Sequence, residues 1–173
     1  MFALVKNALP NALTLANLAC GIMSLMMIFQ MNYIGAAFFI LLACLADRYD
    51  GRIARILQVS SELGKELDSL ADLVSFGVAP AILVFYVYGF SDLGFFGYLL
   101  VLVFSLAGAY RLARFNVTQF DGEFYGIPIT LAGMLLALYC LFTVNHLVPW
   151  PVAVILVIVL SYLMVCKHRF KKF

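Results

Sequence analysis

The sequence predicts an all-α integral membrane protein, a single domain over residues 1–173 made of six transmembrane helices with both termini on the cytoplasmic side. Three observations carry that expectation. Hydrophobic residues make up 65% of the 173-residue chain and charged residues 12%, against roughly 45–50% and 25% in soluble domains. A soluble fold of this size could not hide that much apolar surface. The apolar residues fall into runs, each near the ~20 residues that a bilayer core requires. Finally, all 11 Lys and Arg lie at one end of those runs, and basic residues mark the cytoplasmic side.

In chain order the spans are expected at 11–30, 33–57, 66–89, 94–116, 127–146 and 149–167. Residues 1–10 alternate between apolar and polar and read as a segment lying along the membrane surface. The first span reads as a retained helix rather than a cleaved signal. A single Lys6 precedes it, no small-x-small cleavage site follows, and Asn17 stands where a lipoprotein signal ending in Cys20 would want an aliphatic residue. The breaks between spans carry turn chemistry: Asn32, the run from Gly89 to Gly94, Asp121-Gly122, and the run from Asn145 to Pro151. The loops 30–33, 89–94 and 145–149 contain no Lys or Arg, and Asp92 is the one acid on that side. Charged chemistry is therefore gathered at one membrane face. A net charge of +2 is too small to suggest nucleic acid as a partner. The cysteines, at 20, 44, 140 and 166, lie scattered in apolar runs and read as small packing residues rather than metal ligands or disulfides.

The charges concentrate in DRYDGRIARILQVSSELGKELDSLAD, residues 47–72, which holds four Asp, two Glu, three Arg and one Lys. Asp47 and Asp50 are three apart, so they stand about 60° apart on one helix; Asp68 and Asp72 are four apart, about 40° apart on the next. A short turn makes the two helices antiparallel neighbours, with the Asp pairs facing across a gap. Four carboxylates so close at a membrane edge need compensation, by protons or by divalent cations. Two divalent ions carry about +4, and hard oxygen ligands suit Mg²⁺ or Mn²⁺. Gly51 lets a ligand approach the helix closely. Ala54 keeps the same face shallow, Arg55 can grip a phosphate with two parallel hydrogen bonds, and Gly64 is expected to permit the turn. Metal ions, Arg and Gly in a cleft at the membrane surface describe a phosphate-bearing lipid substrate. Charged residues at helix ends are more often merely solvated, but this many in one register argue for a site.

The pattern Asp47-x-x-Asp50-Gly51-x-x-Ala54-Arg55, eight residues, Gly64-x-x-x-Asp68-x-x-x-Asp72 resembles the full signature of the CDP-alcohol phosphotransferase family. That resemblance implies six transmembrane helices, a homodimer, a cytoplasmic active site in the cell membrane, and attack of an alcohol hydroxyl on the β-phosphorus of a CDP-linked lipid with release of CMP. It implies that Asp47 and Asp68 are shared by two metals, that Asp50 is a ligand of one, and that Asp72 is a ligand of the other and the general base. Gly51, Arg55 and Ser61 match positions that contact the CDP-lipid. Ala54 gives the nucleotide room, and Asn11 and Thr14 match a nucleotide-side contact at the head of the first helix. Arg48 and Tyr49 stand where more apolar residues are expected. Arg48 points about 100° away from the Asp face.

The signature describes the donor half only. The segments 68–80, Arg111 to Asn116 and Phe124 to Thr130 resemble the phosphatidylserine synthase branch of the family, which implies CDP-diacylglycerol and L-serine as substrates. Arg111 and Arg114 are three apart and can grip a carboxylate. Asn116 and Thr130 are candidate hydrogen-bonding partners of serine. Two alternatives stand beside this one: the same chemistry with glycerol 3-phosphate or an inositol phosphate as acceptor, and a cation or proton transporter. The transporter predicts acids deep in several helices, whereas spans one, five and six have no ionisable residue in their interiors.

Overall fold

A computed structural model describes residues 2–57, 61–117, 124–146, 148–166 and 169–170, and for residues 2–9, 54, 57, 124, 125, 169 and 170 the backbone alone. Helix α1 runs over Phe2–Phe29, α2 over Tyr33–Leu57, and α3 over Glu62–Val87. A 3₁₀ turn at Phe90–Leu93 leads to α4, Phe95–Val117, followed by α5, Ile129–Thr143, and α6, Trp150–Val165. Two-residue strands, β1 (Phe124–Tyr125) and β2 (Arg169–Phe170), pair antiparallel and tie the chain before α5 to the chain after α6. The expected all-α class is what the chain adopts.

Three helices are long and apolar enough to cross a bilayer by length and composition: Pro10–Phe29, Glu62–Val87 and Phe95–Val117. Helices α5 and α6 are apolar throughout but shorter, at 15 and 16 residues. Helix α2 is 25 residues long, but its apolar part stops at Ala46, before the charges begin.

The chain breaks follow local chemistry. Met31 adopts a positive φ of 59°. Asn32 then opens α2, its Oδ1 accepting the Gly35 N–H at 2.9 Å. Gly89 and Gly94, with φ of 59° and 58°, bracket the 3₁₀ turn. The Asp121-Gly122 turn lies outside the described residues. Gly126 is the position where glycine is required twice over. Its φ is +71°, and a Cβ would meet the carbonyl oxygens of Met164 and Leu163 at 2.6 and 2.7 Å. Its neighbour Ile127 donates its N–H to the Leu163 carbonyl at 3.1 Å.

Residues 2–9 join the rest of α1 without a break at Pro10. One expectation is revised. Gly64 is not the turn residue, because it already lies inside α3. Ser61 begins that helix with extended backbone, and its Oγ accepts the Gly64 N–H at 2.9 Å, a cap worth about 1 kcal/mol. What Gly64 supplies is clearance: a Cβ there would stand 2.9 Å from Ser61 Oγ and 3.1 Å from Asn11 Oδ1.

Helix α1 is the organising element. Its buried positions include Pro10, Thr14, Asn17, Gly21, Ser24 and Ile28, spaced alternately four and three apart, which makes one continuous seam. Small and polar residues suit such a seam, because backbones approach closely and hydroxyls reach neighbouring carbonyls. Ser24 Oγ, for example, donates to Ala36 O at 2.9 Å. The seam packs along α2 on one side and against α3 on the other, and the later turns of α3 also touch α2. The two helices that carry the Asp pairs thus share α1 as a common neighbour, while their acids still meet across the gap.

Directly after Asp72, α3 widens into a π segment, Leu73–Val78. There the hydrogen bonds run i→i+5, the Ala79 N–H reaching Val74 O. Neighbours grip this segment from two sides. A Cβ on Gly21 of α1 would stand 2.9 Å from Ser75 Cα, and one on Gly133 of α5 would stand 2.7 Å from Phe76 Cα. Such segments are uncommon and concentrate at functional sites.

Candidate active site

Asp47 and Asp50 come from the charged end of α2, Asp68 and Asp72 from the first turns of α3. Oxygen atoms of Asp47, Asp50 and Asp68 lie within 4.8 Å of one another. Asp50 and Asp72 are buried, at 5% and 7% exposed. Asp72 interacts electrostatically with all three other carboxylates, so the four acids form one field. Two of them are held by α1. The Thr14 hydroxyl lies 3.0 Å from Asp50 Oδ2 and 3.1 Å from Pro10 O, so its single proton serves one of the two at a time. Asn17 Nδ2 donates to Asp72 Oδ1 at 3.0 Å. Asp68 Oδ1 is buried with no hydrogen-bond partner among the described residues. A buried carboxylate oxygen without a donor, beside two further carboxylates, fits a hard divalent cation.

The remaining predicted donor-side residues surround this cluster. A Cβ at Gly51 would meet nothing within 4 Å, so the helix surface beside Asp50 is open. Arg55 is exposed and its Nε donates to Gly51 O at 2.9 Å, which folds the guanidinium back along that open surface. The Ala54 side chain lies outside the described residues. Asn11 sits against Gly64 and the Ser61 cap, so the head of α1 meets the head of α3 beside the acids.

The predicted acceptor residues divide. Arg111, on α4, is within electrostatic reach of Asp72, and its Nε is buried without a hydrogen-bond partner among the described residues. Arg114 turns away: its Nη1 donates to Val165 O at the end of α6 (3.1 Å) and its guanidinium lies 5.8 Å from the Tyr110 ring centroid. Asn116 Nδ2 donates to Ser69 Oγ at 2.9 Å and to Glu66 Oε1 at 3.4 Å, and its carbonyl accepts from Lys65 Nζ at 3.2 Å. It ties the end of α4 to the start of α3. Thr130 is half-buried in the first turn of α5. The basic tail residues 167, 168, 171 and 172 lie outside the described residues.

Asn17 was not among the residues expected at the site. A signal for it exists in the sequence: it is an amide inside an apolar span, three residues from Thr14, and polar residues at membrane depth usually serve a function.

A mainly helical chain with carboxylates gathered from two consecutive helices, at the charged end of apolar spans, has the makings of a membrane-edge site where a divalent cation could bind. The chain belongs to the CDP-alcohol phosphatidyltransferase family, whose model matches residues 7–169. Together with its apolar spans, that makes it a multi-pass membrane protein. It is similar to the CDP-diacylglycerol--serine O-phosphatidyltransferase of Bacillus subtilis, 39% identical over 168 residues, covering 96% of this chain and 92% of the relative. It is also similar to the protein of that name from Methanocaldococcus jannaschii, 32% identical over 175 residues, covering 100% of this chain and 79% of the relative. The Saccharomyces cerevisiae protein of that name is 40% identical over 159 residues, 80% of this chain, which spans 56% of that longer relative.

Proposed function

We propose that this protein transfers a phosphatidyl group from CDP-diacylglycerol to the hydroxyl of L-serine, giving phosphatidylserine and CMP. The observation that carries the reading is the convergence of Asp47, Asp50 and Asp68 beside Asp72, with Arg111 in electrostatic reach. Relatives that cover nearly the whole chain bear the corresponding enzyme name. In this reading the enzyme is a homodimer in the cell membrane. Each chain crosses six times, both termini are cytoplasmic, and the active site faces the cytoplasm.

The residues then act as follows. Asp47, Asp50, Asp68 and Asp72 would hold two divalent ions, Mg²⁺ or Mn²⁺. Bound there, such ions supply charge stabilisation for the transferring phosphoryl oxygens. The open helix surface at Gly51, with Ala54, admits the pyrophosphate. Arg55 grips it, and Ser61, Gly64, Asn11 and Thr14 shape the nucleotide side. Arg111, whose buried Nε awaits a partner, binds the serine carboxylate. Asn116 and Thr130 border the acceptor side, and Arg114 braces it against α6. Asp72 takes the serine hydroxyl proton as the oxygen attacks the β-phosphorus, and the bond to CMP breaks.

The test is CMP release by the purified protein in lipid, with CDP-diacylglycerol and each of serine, glycerol 3-phosphate and inositol phosphate, with and without chelator. Serine-dependent, chelator-sensitive release is expected. Release with glycerol 3-phosphate but not serine refutes the acceptor, and release unaffected by chelator refutes the metals.

A further inference from the structure

Asn17 is fully buried in the middle of an apolar helix, and the chemistry described so far assigns it nothing. Its Nδ2 donates to Asp72 Oδ1 at 3.0 Å. Its backbone carbonyl accepts from Ser75 Oγ at 2.9 Å. Asp72 and Ser75 are three apart on α3, so one residue of α1 is pinned to α3 at two points. The pins close because position 21, one turn further along α1, is glycine. The π segment beginning at Leu73 carries Ser75 into this crossing.

Asn17 Oδ1 is buried with no hydrogen-bond partner among the described residues. Leaving a buried carbonyl oxygen without a donor is unfavourable, and a leucine would fill a similar volume with no such penalty. The residue is explained by its donor half, which is aimed at one oxygen of Asp72. A neutral amide orients the carboxylate without adding a formal charge to the cluster.

We propose that Asn17 is a positioning residue for Asp72: its Nδ2–H holds Oδ1 and thereby turns Oδ2 towards the acceptor hydroxyl, while Ser75 fixes the Asn17 backbone in register. The role rests on the reading of Asp72 as the base. Misplacing a reacting group by about 1 Å can cost on the order of 100-fold in rate.

The experiment compares wild type with Asn17→Leu, Asn17→Ala and Ser75→Ala in lipid nanodiscs. It measures kcat, KM for each substrate, CDP affinity in the presence of Mg²⁺, and thermal unfolding. For Asn17→Leu we expect kcat to fall about 100-fold, with both KM values and CDP affinity within about threefold of wild type. Ser75→Ala should show a smaller fall of the same kind. Should Asn17→Leu fail to fold, Asn17→Ala carries the test on the same criteria, because it removes the donor without adding bulk or charge. A folded Asn17 variant whose kcat stays within about threefold of wild type overturns the proposal. A loss in which CDP affinity falls in parallel with kcat overturns it too, since that marks general damage to the site. Wild-type turnover with an alcohol other than serine overturns the serine reading alone, and the Asn17 comparison is then read with that alcohol.

Discussion

Replacing Thr14 by valine removes one hydroxyl and changes little else in shape. Thr14 is 4% exposed, and Asp50, 36 residues away in sequence, is 5% exposed. A helical threonine commonly returns its proton to the carbonyl four residues back, here Pro10 O at 3.1 Å, but Asp50 Oδ2 is as near at 3.0 Å. An ionised carboxylate is the stronger acceptor, so the proton belongs on Asp50. A hydrogen bond to a charged group contributes about 1.5–3 kcal/mol, which corresponds to roughly 10- to 100-fold in an equilibrium constant. Loss of a partner that orients a metal-ligating carboxylate has the same typical size. In Thr14→Val, the Mg²⁺ or Mn²⁺ concentration that half-activates CMP release should therefore rise about 10- to 100-fold. The rate at saturating metal should stay nearer to that of wild type. The assay is a metal titration of chelator-stripped enzyme at fixed CDP-lipid and serine. An activation midpoint within about twofold of wild type would place the proton on Pro10 O and refute the idea that α1 holds Asp50.

Asp72→Asn should lower CMP release by about 10²- to 10⁴-fold, the usual contribution of a general base, while CDP binding is largely retained; a normal rate rules out Asp72 as the base. Arg111→Gln should raise KM for serine and leave that for CDP-diacylglycerol unchanged. Arg114→Gln, which releases the Val165 carbonyl, should act mainly on thermal stability, and equal serine KM values in Arg111→Gln and wild type would remove Arg111 from the acceptor site. Gly21→Val should destabilise the protein by about 1–3 kcal/mol through overpacking, because its first carbon already falls 2.9 Å from Ser75 Cα. An unchanged melting temperature would refute the close crossing of α1 and α3.

The helical membrane class and the four acids are both readable from the chain, because they rest on local quantities. Hydropathy over about 20 residues decides whether a helix can cross a bilayer. Spacings of three and four decide which acids share a helix face. The role of Gly64 was harder to read. A glycine near a break suggests a turn, yet here Ser61 caps the helix and Gly64 makes room for Asn11. Nothing local distinguishes those two uses. Arg111 and Arg114 are equivalent by spacing. They separate because one side of α4 looks to Asp72 and the other to the end of α6, which depends on how the helices are arranged.

By itself, then, the sequence determined that this is a helical membrane protein and that its acids gather in two pairs, Asp47 with Asp50 and Asp68 with Asp72, because both follow from periodicity and polarity along one stretch of chain. The tertiary structure decided who supports those acids. Thr14 meets Asp50 across 36 residues and Asn17 meets Asp72 across 55. Those meetings exist because α1 bridges α2 and α3 with a seam of small and polar residues. The depth at which two helices cross is a property of their packed surfaces, and neither helix carries it alone.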